Sequence, residues 1–252
     1  MKRLLFTLAA IMLTLGATAQ KKKYPVAPEM KPEMTEFWLP QPKVITPGDF
    51  STNSAPSDAI VLFDGKDLSK WQSCEGGKAK WEVHDGVFTV KRNTGGIETK
   101  EKFGSFQLHI EWSAPTVIEG ESQGRGNSGV FLQGKYEVQI LDCYQNETYA
   151  NGQAGSIYKQ KAPLVNAMRK PGEWNTYDII YNAPVFNEDG TYRVAPTVTV
   201  IHNGVVIVNN FTIRGTTEYI GHPVVEPHGD GPIMLQDHGN PVSFRNIWIR
   251  KL

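Results

Sequence analysis

Residues 136–142 combine polar side chains with the alternation of a strand, and this run holds the first candidate for chemistry. Side chains two residues apart in a strand lie on one face, so Glu137 and Gln139 share a face while Val138 and Ile140 share the other. A carboxyl group beside a carboxamide, backed by apolar residues, is typical of a sheet with a polar face over a packed core. A concave face of this kind can hold a carbohydrate, and Glu137 can serve there as a general acid or base.

A second run near the C-terminus has the same character. Gln236 and His238 alternate within residues 235–239, so in a strand they lie on one face. If both runs line one groove, Glu137 or His238 is the base and the other is the acid. His238 precedes Gly239, however, and fits a turn equally well.

Five further polar residues are candidate substrate ligands, because they lie on strand faces or in loops near these runs. Two of them belong to the glycine-rich segment 124–129, which can bring backbone and short side chains close to a ligand. A tyrosine among them is a candidate platform for stacking a sugar ring. The five candidates are Glu111, Arg125, Asn127, Asp142 and Tyr158.

A divalent metal is an open alternative for this site. Its candidate ligands are Glu111, Glu137, Asp142 and His238, which offer oxygen and nitrogen atoms. The sequence alone does not bring these four together, so it identifies no certain cofactor.

Short strand patterns fill most of the chain from residue 59 onward. Residues 106–112 alternate apolar and polar without a break, and turn sequences ending in Gly86 and Gly204 separate other apolar runs. No stretch shows a sustained 3.6-residue apolar period, and the crossover helices of a parallel sheet are missing. The sequence therefore predicts an all-β fold, a sandwich or jelly roll of antiparallel sheets.

Residues 1–19 have the features of a signal peptide. A short basic start precedes an apolar run over 4–15 that is too short for a comfortable membrane span. The small-x-small sequence at 17–19 is a cleavage site, so we expect export and a mature chain that begins near Gln20. No later segment approaches a spanning length, and the mature protein is expected in the periplasm or outside the cell.

Residues 20–57 predict an arm separate from the body of the chain. They are rich in Pro and Lys and show little periodicity. We expect an extended segment with Phe37 and Trp38 as anchors, followed by one jelly-roll domain over 58–252.

Charge and cysteine content exclude several other classes of protein. The chain carries 26 basic and 26 acidic residues, so nothing marks it as a nucleic-acid-binding protein. Cys74 and Cys143 are too few for a disulfide framework; they either pair in an oxidising compartment or are two buried thiols.

Short motifs follow one another along the body of the chain. They are Leu62-Phe63-Asp64-Gly65, Phe103-Gly104-Ser105-Phe106, Gly126-Asn127-Ser128-Gly129, Tyr136-Glu137-Val138-Gln139-Ile140, Gly155-Ser156-Ile157-Tyr158, Gly172-Glu173-Trp174-Asn175, Leu235-Gln236-Asp237-His238-Gly239 and Phe244-Arg245-Asn246-Ile247. Their order resembles the 3-keto-disaccharide hydrolase domain family over about residues 58–252. The resemblance implies a concanavalin A-like jelly roll and a glycoside substrate already oxidised to a ketone at C3 of the sugar. It also implies a glycoside 3-oxidoreductase that supplies this substrate.

A ketone at C3 defines the chemistry that such a site has to perform. The ketone acidifies the C2 proton, so a base can remove it, and the resulting enediolate expels the leaving group at C1. Water then adds, which gives net hydrolysis. The reaction needs a base, an acid near the glycosidic oxygen, and an oxyanion stabiliser, for which Arg125 or a metal is the candidate.

Two other functions remain open from the sequence. One is direct hydrolysis by two carboxylates, because the run at 137–142 resembles the Glu-x-Asp-x-x-Glu strand of laminarinase-type glycosidases; Gln139 in place of the middle acid weakens this alternative. The other is a carbohydrate-binding module without catalysis, in which Trp112, Trp174 and Tyr158 hold the sugar.

Overall fold

The computed structural model describes residues 27–49, residue 52 and residues 54–252. The chain divides into two compact units, with the boundary between Val44 and Ile45. The described part of the first unit contains a 3-10 turn over Pro32–Met34. The predicted signal peptide lies outside the described residues.

The second unit is built of short strands joined by turns and loops. Two further 3-10 turns, Ser122–Gly124 and Ala150–Gly152, lie in its loops. The strands, in chain order, are β1 (Ile60–Phe63), β2 (Trp71–Ser73), β3 (Glu82–His84), β4 (Val87–Thr89), β5 (Ile97–Thr99), β6 (Phe106–Ser113), β7 (Ser128–Leu132), β8 (Tyr136–Ile140), β9 (Asn175–Asn182), β10 (Val185–Phe186), β11 (Tyr192–Val194), β12 (Thr197–His202), β13 (Val205–Thr212), β14 (Met234–Leu235) and β15 (Ser243–Lys251).

These strands form a sandwich of two antiparallel sheets. The larger sheet has eight strands in the order β13-β12-β9-β6-β15-β4-β3, with β1 paired to β15. The smaller has five strands in the order β2-β5-β14-β7-β8, and β10 and β11 form a separate hairpin. The predicted all-β, concanavalin A-like jelly roll of two antiparallel sheets is confirmed. Across the described residues, we find no helix with the length and apolar character to span a bilayer.

Local sequence explains the two tightest predicted hairpins. Asp85 and Gly86 have φ of 50° and 78°, and Asn203 and Gly204 have φ of 52° and 80°. Two successive positive φ values match the twist of the flanking strands and favour Asn-Gly and Asp-Gly pairs. The turns therefore fix β3 against β4 and β12 against β13, as the sequence predicts.

The core lies between the two sheets and leaves their outer faces to polar side chains. Apolar residues alternate inward along β6 and β8, and the largest buried side chains are aromatic. They include Trp71, Phe88, Phe106, Trp112, Tyr136, Tyr177, Tyr181 and Phe244. On β8 this alternation leaves Glu137 and Gln139 on the outer face of the five-stranded sheet.

The two cysteines do not pair. Cys74 is an exposed free thiol and Cys143 a buried one. The sequence predicted either a disulfide or two buried thiols. Both alternatives are wrong, because Cys74 is exposed and Cys143 is buried.

Candidate active site

The outer face of the five-stranded sheet carries a cavity of about 510 Å³. Strands β7 and β8 supply part of its surface, and loops from four parts of the chain supply the rest. Six of the nine residues predicted from the sequence line it. The lining residues are Gln123, Gly124, Asn127, Phe131, Glu137, Gln139, Tyr158, Thr217, Tyr219, Gln236 and His238.

Strand order explains why two distant runs of sequence meet here. Strand β7 pairs with β8 on one side and with β14 on the other, and Phe131 of β7 lies opposite Glu137. Gln236 follows β14 directly, and its backbone N–H donates to the carbonyl of Gly129 at 3.0 Å. The convergence of Glu137 and Gln236 expected from strand parity is therefore observed.

Two hydrogen bonds fix the backbone of Glu137, while its carboxyl group has no partner among the residues that the structure describes. Its backbone N–H donates to Thr217 Oγ1 at 2.9 Å, and its carbonyl accepts from the backbone N–H of Tyr158 at 3.1 Å. The carboxyl lies over Gly129, where an added Cβ would come within 2.5 Å of Glu137 Oε1. Among the described residues, none forms a hydrogen bond with this carboxyl, and Glu137 is 4% exposed.

Burial sets the protonation state of this carboxyl. Removal from water raises the pKa of Glu137 to about 8 from an ordinary value of 4.5. No opposing charge or hydrogen bond offsets this desolvation. At neutral pH the group is therefore mostly protonated and can donate a proton, as a general acid must.

A glutamine that the sequence reasoning missed organises two other side chains of the cavity. Gln123 Nε2 donates to Thr148 Oγ1 at 2.8 Å and to the carbonyl of Gly152 at 3.0 Å. Gln139 Nε2 then donates to Gln123 Oε1 at 2.9 Å, and Asn127 Nδ2 donates to the Gln123 carbonyl at 2.7 Å. The signal that could have found Gln123 is its place in a polar insertion between strands.

The side-chain oxygens of the other three carboxamides that line the cavity have no partner in the described part of the chain. Asn127 Oδ1, Gln139 Oε1 and Gln236 Oε1 are buried and accept no hydrogen bond from the described residues. Buried polar atoms in proteins are nearly always paired, so three unpaired acceptors in one cavity indicate a bound ligand or ordered water. The cavity is suited to a ligand that donates several hydrogen bonds.

His238 lies in a turn at the rim of the cavity. The two positions that the sequence allowed, one beside the groove and one in a turn, are therefore compatible. Its side chain is exposed, and the next residue, Gly239, has φ of 82°. Asp237 fixes this turn by accepting from the backbone N–H groups of Thr94, Gly95 and Gly239 at 2.9–3.2 Å.

Tyrosines form one lip of the cavity. Tyr158, the predicted platform, is mostly buried and hydrogen-bonds through its hydroxyl to Tyr149. Burial and this hydrogen bond raise the pKa of Tyr158 above its usual range. The ammonium of Lys159 lies 4.4 Å from the centre of the Tyr219 ring, which is 73% exposed.

Arg125 and Asp142 are not brought to this cavity. Arg125 Nε donates to Asp142 Oδ2 at 2.6 Å, and Arg125 Nη2 donates to the carbonyl of Tyr144 at 2.9 Å. The pair lines a separate cavity of about 60 Å³. The expectation that Arg125 faces the sugar beside Glu137 is corrected, because its ion pair turns the guanidinium away.

Glu111 lies on the outer face of the other sheet. Arg245 Nε donates to Glu111 Oε2 at 2.6 Å, and Asn246 Nδ2 donates to Glu111 Oε1 at 2.8 Å. The neighbouring His109 pairs with Asp178 at 2.7 Å. The expectation that Glu111 faces the substrate is corrected, since the core separates its strand from the cavity. Glu111 is 5% exposed, so this network also shields it from solvent.

The four residues named as metal ligands are divided among three places: Glu137 and His238 at the cavity, Asp142 beside Arg125, and Glu111 on the other sheet. Over the part of the chain that the structure describes, no three His, Cys, Asp or Glu side chains come close enough to share a metal ion.

The cavity on the five-stranded sheet combines a buried carboxyl with unpaired hydrogen-bond acceptors, and this chemistry suits a polyhydroxylated ligand. The family model described as 3-keto-alpha-glucoside-1,2-lyase-like domain matches residues 58–250, and the chain belongs to this family. The family resemblance seen in the motifs is thereby confirmed.

Known proteins resemble this chain to different degrees. A protein of Bacteroides thetaiotaomicron (strain ATCC 29148) named 3-keto-disaccharide hydrolase is 26% identical over an alignment of 304 positions, gaps included, that covers 100% of both chains. The crystal structure of a candidate glycosyl hydrolase from Parabacteroides distasonis ATCC 8503 is 66% identical, with a TM-score of 0.86, and covers 88% of this chain and 97% of its own. A second candidate glycosyl hydrolase from that organism, 24% identical with a TM-score of 0.58 over 77% of this chain and 94% of its own, shares the fold.

Proposed function

We propose that this protein cleaves glycosides that carry a ketone at C3 of the sugar, with Glu137 as general acid and His238 as general base. The observation that carries the proposal is the buried carboxyl of Glu137, which burial keeps protonated at neutral pH inside a cavity of sugar-binding character. Membership of the family and the name of the Bacteroides relative support the choice of substrate.

The proposed reaction is an elimination followed by addition of water. His238 removes the proton from C2, and the electron pair forms an enediolate with the ketone at C3. The enediolate collapses to a C1=C2 double bond and expels the C1 oxygen, which takes the proton of Glu137. Water then adds its hydroxyl to C1 and a proton to C2, so the net result is hydrolysis.

The developing oxyanion needs a hydrogen-bond donor, and Thr217 replaces Arg125 as the candidate. The Thr217 hydroxyl oxygen accepts from the Glu137 backbone, which leaves its own O–H to donate. Thr217 also lines the cavity. A donor aimed at the place where negative charge develops is the usual device for this purpose.

The lining of the cavity argues against direct hydrolysis by two carboxylates. Among the described lining residues, Glu137 is the one carboxylic acid, whereas that mechanism needs a second carboxyl across the scissile bond.

The cellular setting of the proposal follows from the same chemistry. We propose that the chain is exported after cleavage near Gln20, since the N-terminal sequence has the three parts of a signal peptide. Its substrate is a carbohydrate, and an enzyme of the glycoside 3-oxidoreductase class must first introduce the ketone.

A paired substrate assay tests the proposed function. Purified protein is given a methyl 3-keto-glucoside and the unoxidised methyl glucoside, and release of methanol is measured. Turnover of the keto form alone supports the proposal. Equal turnover of both forms indicates an ordinary glycosidase, and saturable binding without turnover indicates a binding module; either outcome contradicts the proposal.

A further inference from the structure

The hydrogen bonds around Gln123 determine which atoms the cavity offers to its ligand. We infer that Gln123 is a positioning residue that holds Gln139 and Asn127 with their oxygens toward the ligand, so that the site selects neutral sugars through their free hydroxyl groups. The inference rests on the proposed carbohydrate substrate, and it concerns recognition rather than bond cleavage.

The orientation of the Gln123 carboxamide follows from its contact with a backbone carbonyl group. The carbonyl of Gly152 can only accept, so the atom of Gln123 that contacts it must be the amide nitrogen. Gln123 Oε1 therefore points the other way, and Gln139 must meet it with its own nitrogen. Asn127 likewise meets the Gln123 carbonyl with its nitrogen. Rotation of either carboxamide by 180° would place two oxygens against each other.

Because the amide nitrogens of Gln139 and Asn127 are already used, the atoms that these residues offer to a ligand are hydrogen-bond acceptors. Gln139 and Asn127 are 1% and 3% exposed, and the oxygen of each has no partner within the described chain. Gln236 contributes a third unpaired oxygen. A sugar hydroxyl can donate to such an oxygen, whereas a carboxylate or sulfate would bring a further acceptor against it.

The charge of the cavity favours the same class of ligand. Among its described lining residues there is no Lys or Arg to pair with a uronate or a sulfate ester, and the ammonium of Lys159 at the Tyr219 lip already donates to the Tyr219 carbonyl. The ketone oxygen of the substrate is also an acceptor only, so it must face a donor such as Thr217. The ring hydroxyl groups are then left to meet Gln139 and Asn127.

Binding measurements on an inactive protein test this inference without relying on turnover. In the Glu137→Gln background, calorimetry gives Kd for methyl 3-keto-glucoside, for its analogue with the ring hydroxyls O-methylated, and for the 3-keto-glucuronide. We expect the O-methylated and glucuronide ligands to bind at least about tenfold more weakly, because each leaves buried acceptors unpaired.

Adding Gln123→Leu should reduce this discrimination by at least about threefold, because the Gln139 carboxamide is freed and can rotate to offer its nitrogen, while Asn127 stays on the backbone carbonyl of residue 123. Asn127→Ala is the second variant, because it removes one acceptor without altering Gln123. Gln107→Leu, on the outer face of the other sheet, is the matched control and should keep the discrimination. Melting temperatures establish that each variant is folded.

Several results would overturn the inference. One is that Gln123→Leu and Asn127→Ala weaken the binding of all three ligands equally and leave the ratios of their Kd values unchanged. These residues would then have only a structural role. Another is tight binding of the glucuronide. A third is a rise in melting temperature with Ca²⁺ that Gln139→Leu abolishes, because the oxygens would then hold a cation. Absent turnover by the unmodified protein, with the expected binding ratios, would contradict only the proposed function.

Discussion

Glu137 combines two properties that rarely coincide in a strand residue. Its carboxyl is buried without a charged or hydrogen-bonding partner in the described chain, and it borders a cavity that a ligand can enter. Burial of an unpaired carboxyl lowers the stability of the folded protein, and carboxyls with strongly shifted pKa values are concentrated at catalytic sites. We therefore assign this cost in stability to function.

Glu137→Gln should reduce turnover of a 3-keto-glycoside by about 10²–10⁴-fold, because glutamine keeps the shape of the side chain but cannot transfer the proton. In the unmodified protein, kcat/KM should fall as pH rises through about 8, where the acid loses its proton. This alkaline limb should be absent from the residual activity of the variant. Rates measured over pH 5–10 check both expectations, and a variant with unchanged rates would remove Glu137 from the mechanism.

The same substitution should stabilise the protein in alkaline solution. Below about pH 4.5 Glu137 is protonated in both the folded and the unfolded chain, so it has no effect on pH dependence. Between 4.5 and 8 the unfolded chain releases the proton and the folded chain does not, so the free energy of unfolding falls as pH rises. Melting temperatures of Glu137→Gln should thus match the unmodified protein at pH 4 and exceed it at pH 9. Equal melting temperatures at both pH values would show that the carboxyl is solvated.

Gly129→Ala should displace the acid from its place on the sheet. An added Cβ would lie 2.5 Å from Glu137 Oε1 and 3.0 Å from the Phe131 ring, so the carboxyl has to move. We expect turnover to fall at least about tenfold and stability to fall by about 1–3 kcal/mol. Gly229→Ala is the control, because a Cβ there meets no atom within 4 Å. Full activity of Gly129→Ala would contradict the geometry assigned to Glu137.

At the level of elements, the alternation of apolar and polar residues predicted which face of a strand each side chain occupies. It did not predict the sheet to which the strand belongs. It placed Glu137 and Gln139 on one face correctly, and it gave Glu111 an outward face that the structure also shows. Which sheet carries that face depends on pairing between distant strands, and no local pattern encodes this pairing. Glu111 was therefore expected at the site and lies instead across the core.

Loops limited the prediction of the site for a different reason. Arg125 and Gln123 are two residues apart, yet one turns to Asp142 and the other to the cavity. Their directions depend on hydrogen bonds to residues 142–152, which the sequence does not reveal. The prediction therefore found six lining side chains, two on β8 and four in loops, and missed Gln123, which orients Gln139.

The network around Glu111 belongs to the larger sheet and should support stability rather than activity. Burial alone would raise the pKa of Glu111, but hydrogen bonds from His109, Asn246 and Arg245 outweigh it and lower the pKa to about 2. Glu111→Gln should lower the melting temperature by about 5–15 °C, equivalent to roughly 2–4 kcal/mol. Its kcat/KM should stay within about twofold of the unmodified value. A selective loss of activity at an unchanged melting temperature would return Glu111 to the site.

The same network should give the protein a characteristic pH dependence. Burial lowers the pKa of His109, but its contacts with Asp178 and Glu111 outweigh burial and raise the pKa to about 9. The stabilisation from protonated His109 is full below about pH 6.5 and is lost as pH rises through 9. That from ionised Glu111 is full above about 4.5 and is lost as pH falls through 2. Chemical unfolding of Glu111→Gln should show a weaker loss of stability below pH 4.5 than the unmodified protein.

For the whole molecule, the described site lies within the second compact unit. The cavity, its loops and both sheets fall within residues 45–252, and the family match covers 58–250. A protein that lacks residues 1–44 should therefore unfold cooperatively and keep kcat/KM for a 3-keto-glycoside within about threefold. Failure to fold would contradict this division of the chain. Circular dichroism and the paired substrate assay measure the two properties.

Removal of the C2 proton is the central step of the proposed reaction, and reaction in D₂O tests this step most directly. Methyl 3-keto-glucoside is converted by the protein in D₂O, and the product and the unreacted substrate are compared by NMR, with an enzyme-free sample as control for spontaneous exchange. We predict that the product has lost its C2 proton, either to a C1=C2 double bond or to deuterium after addition of water. A hydrolysed product that retains the original proton at C2 would contradict elimination and with it the roles proposed for His238 and Glu137.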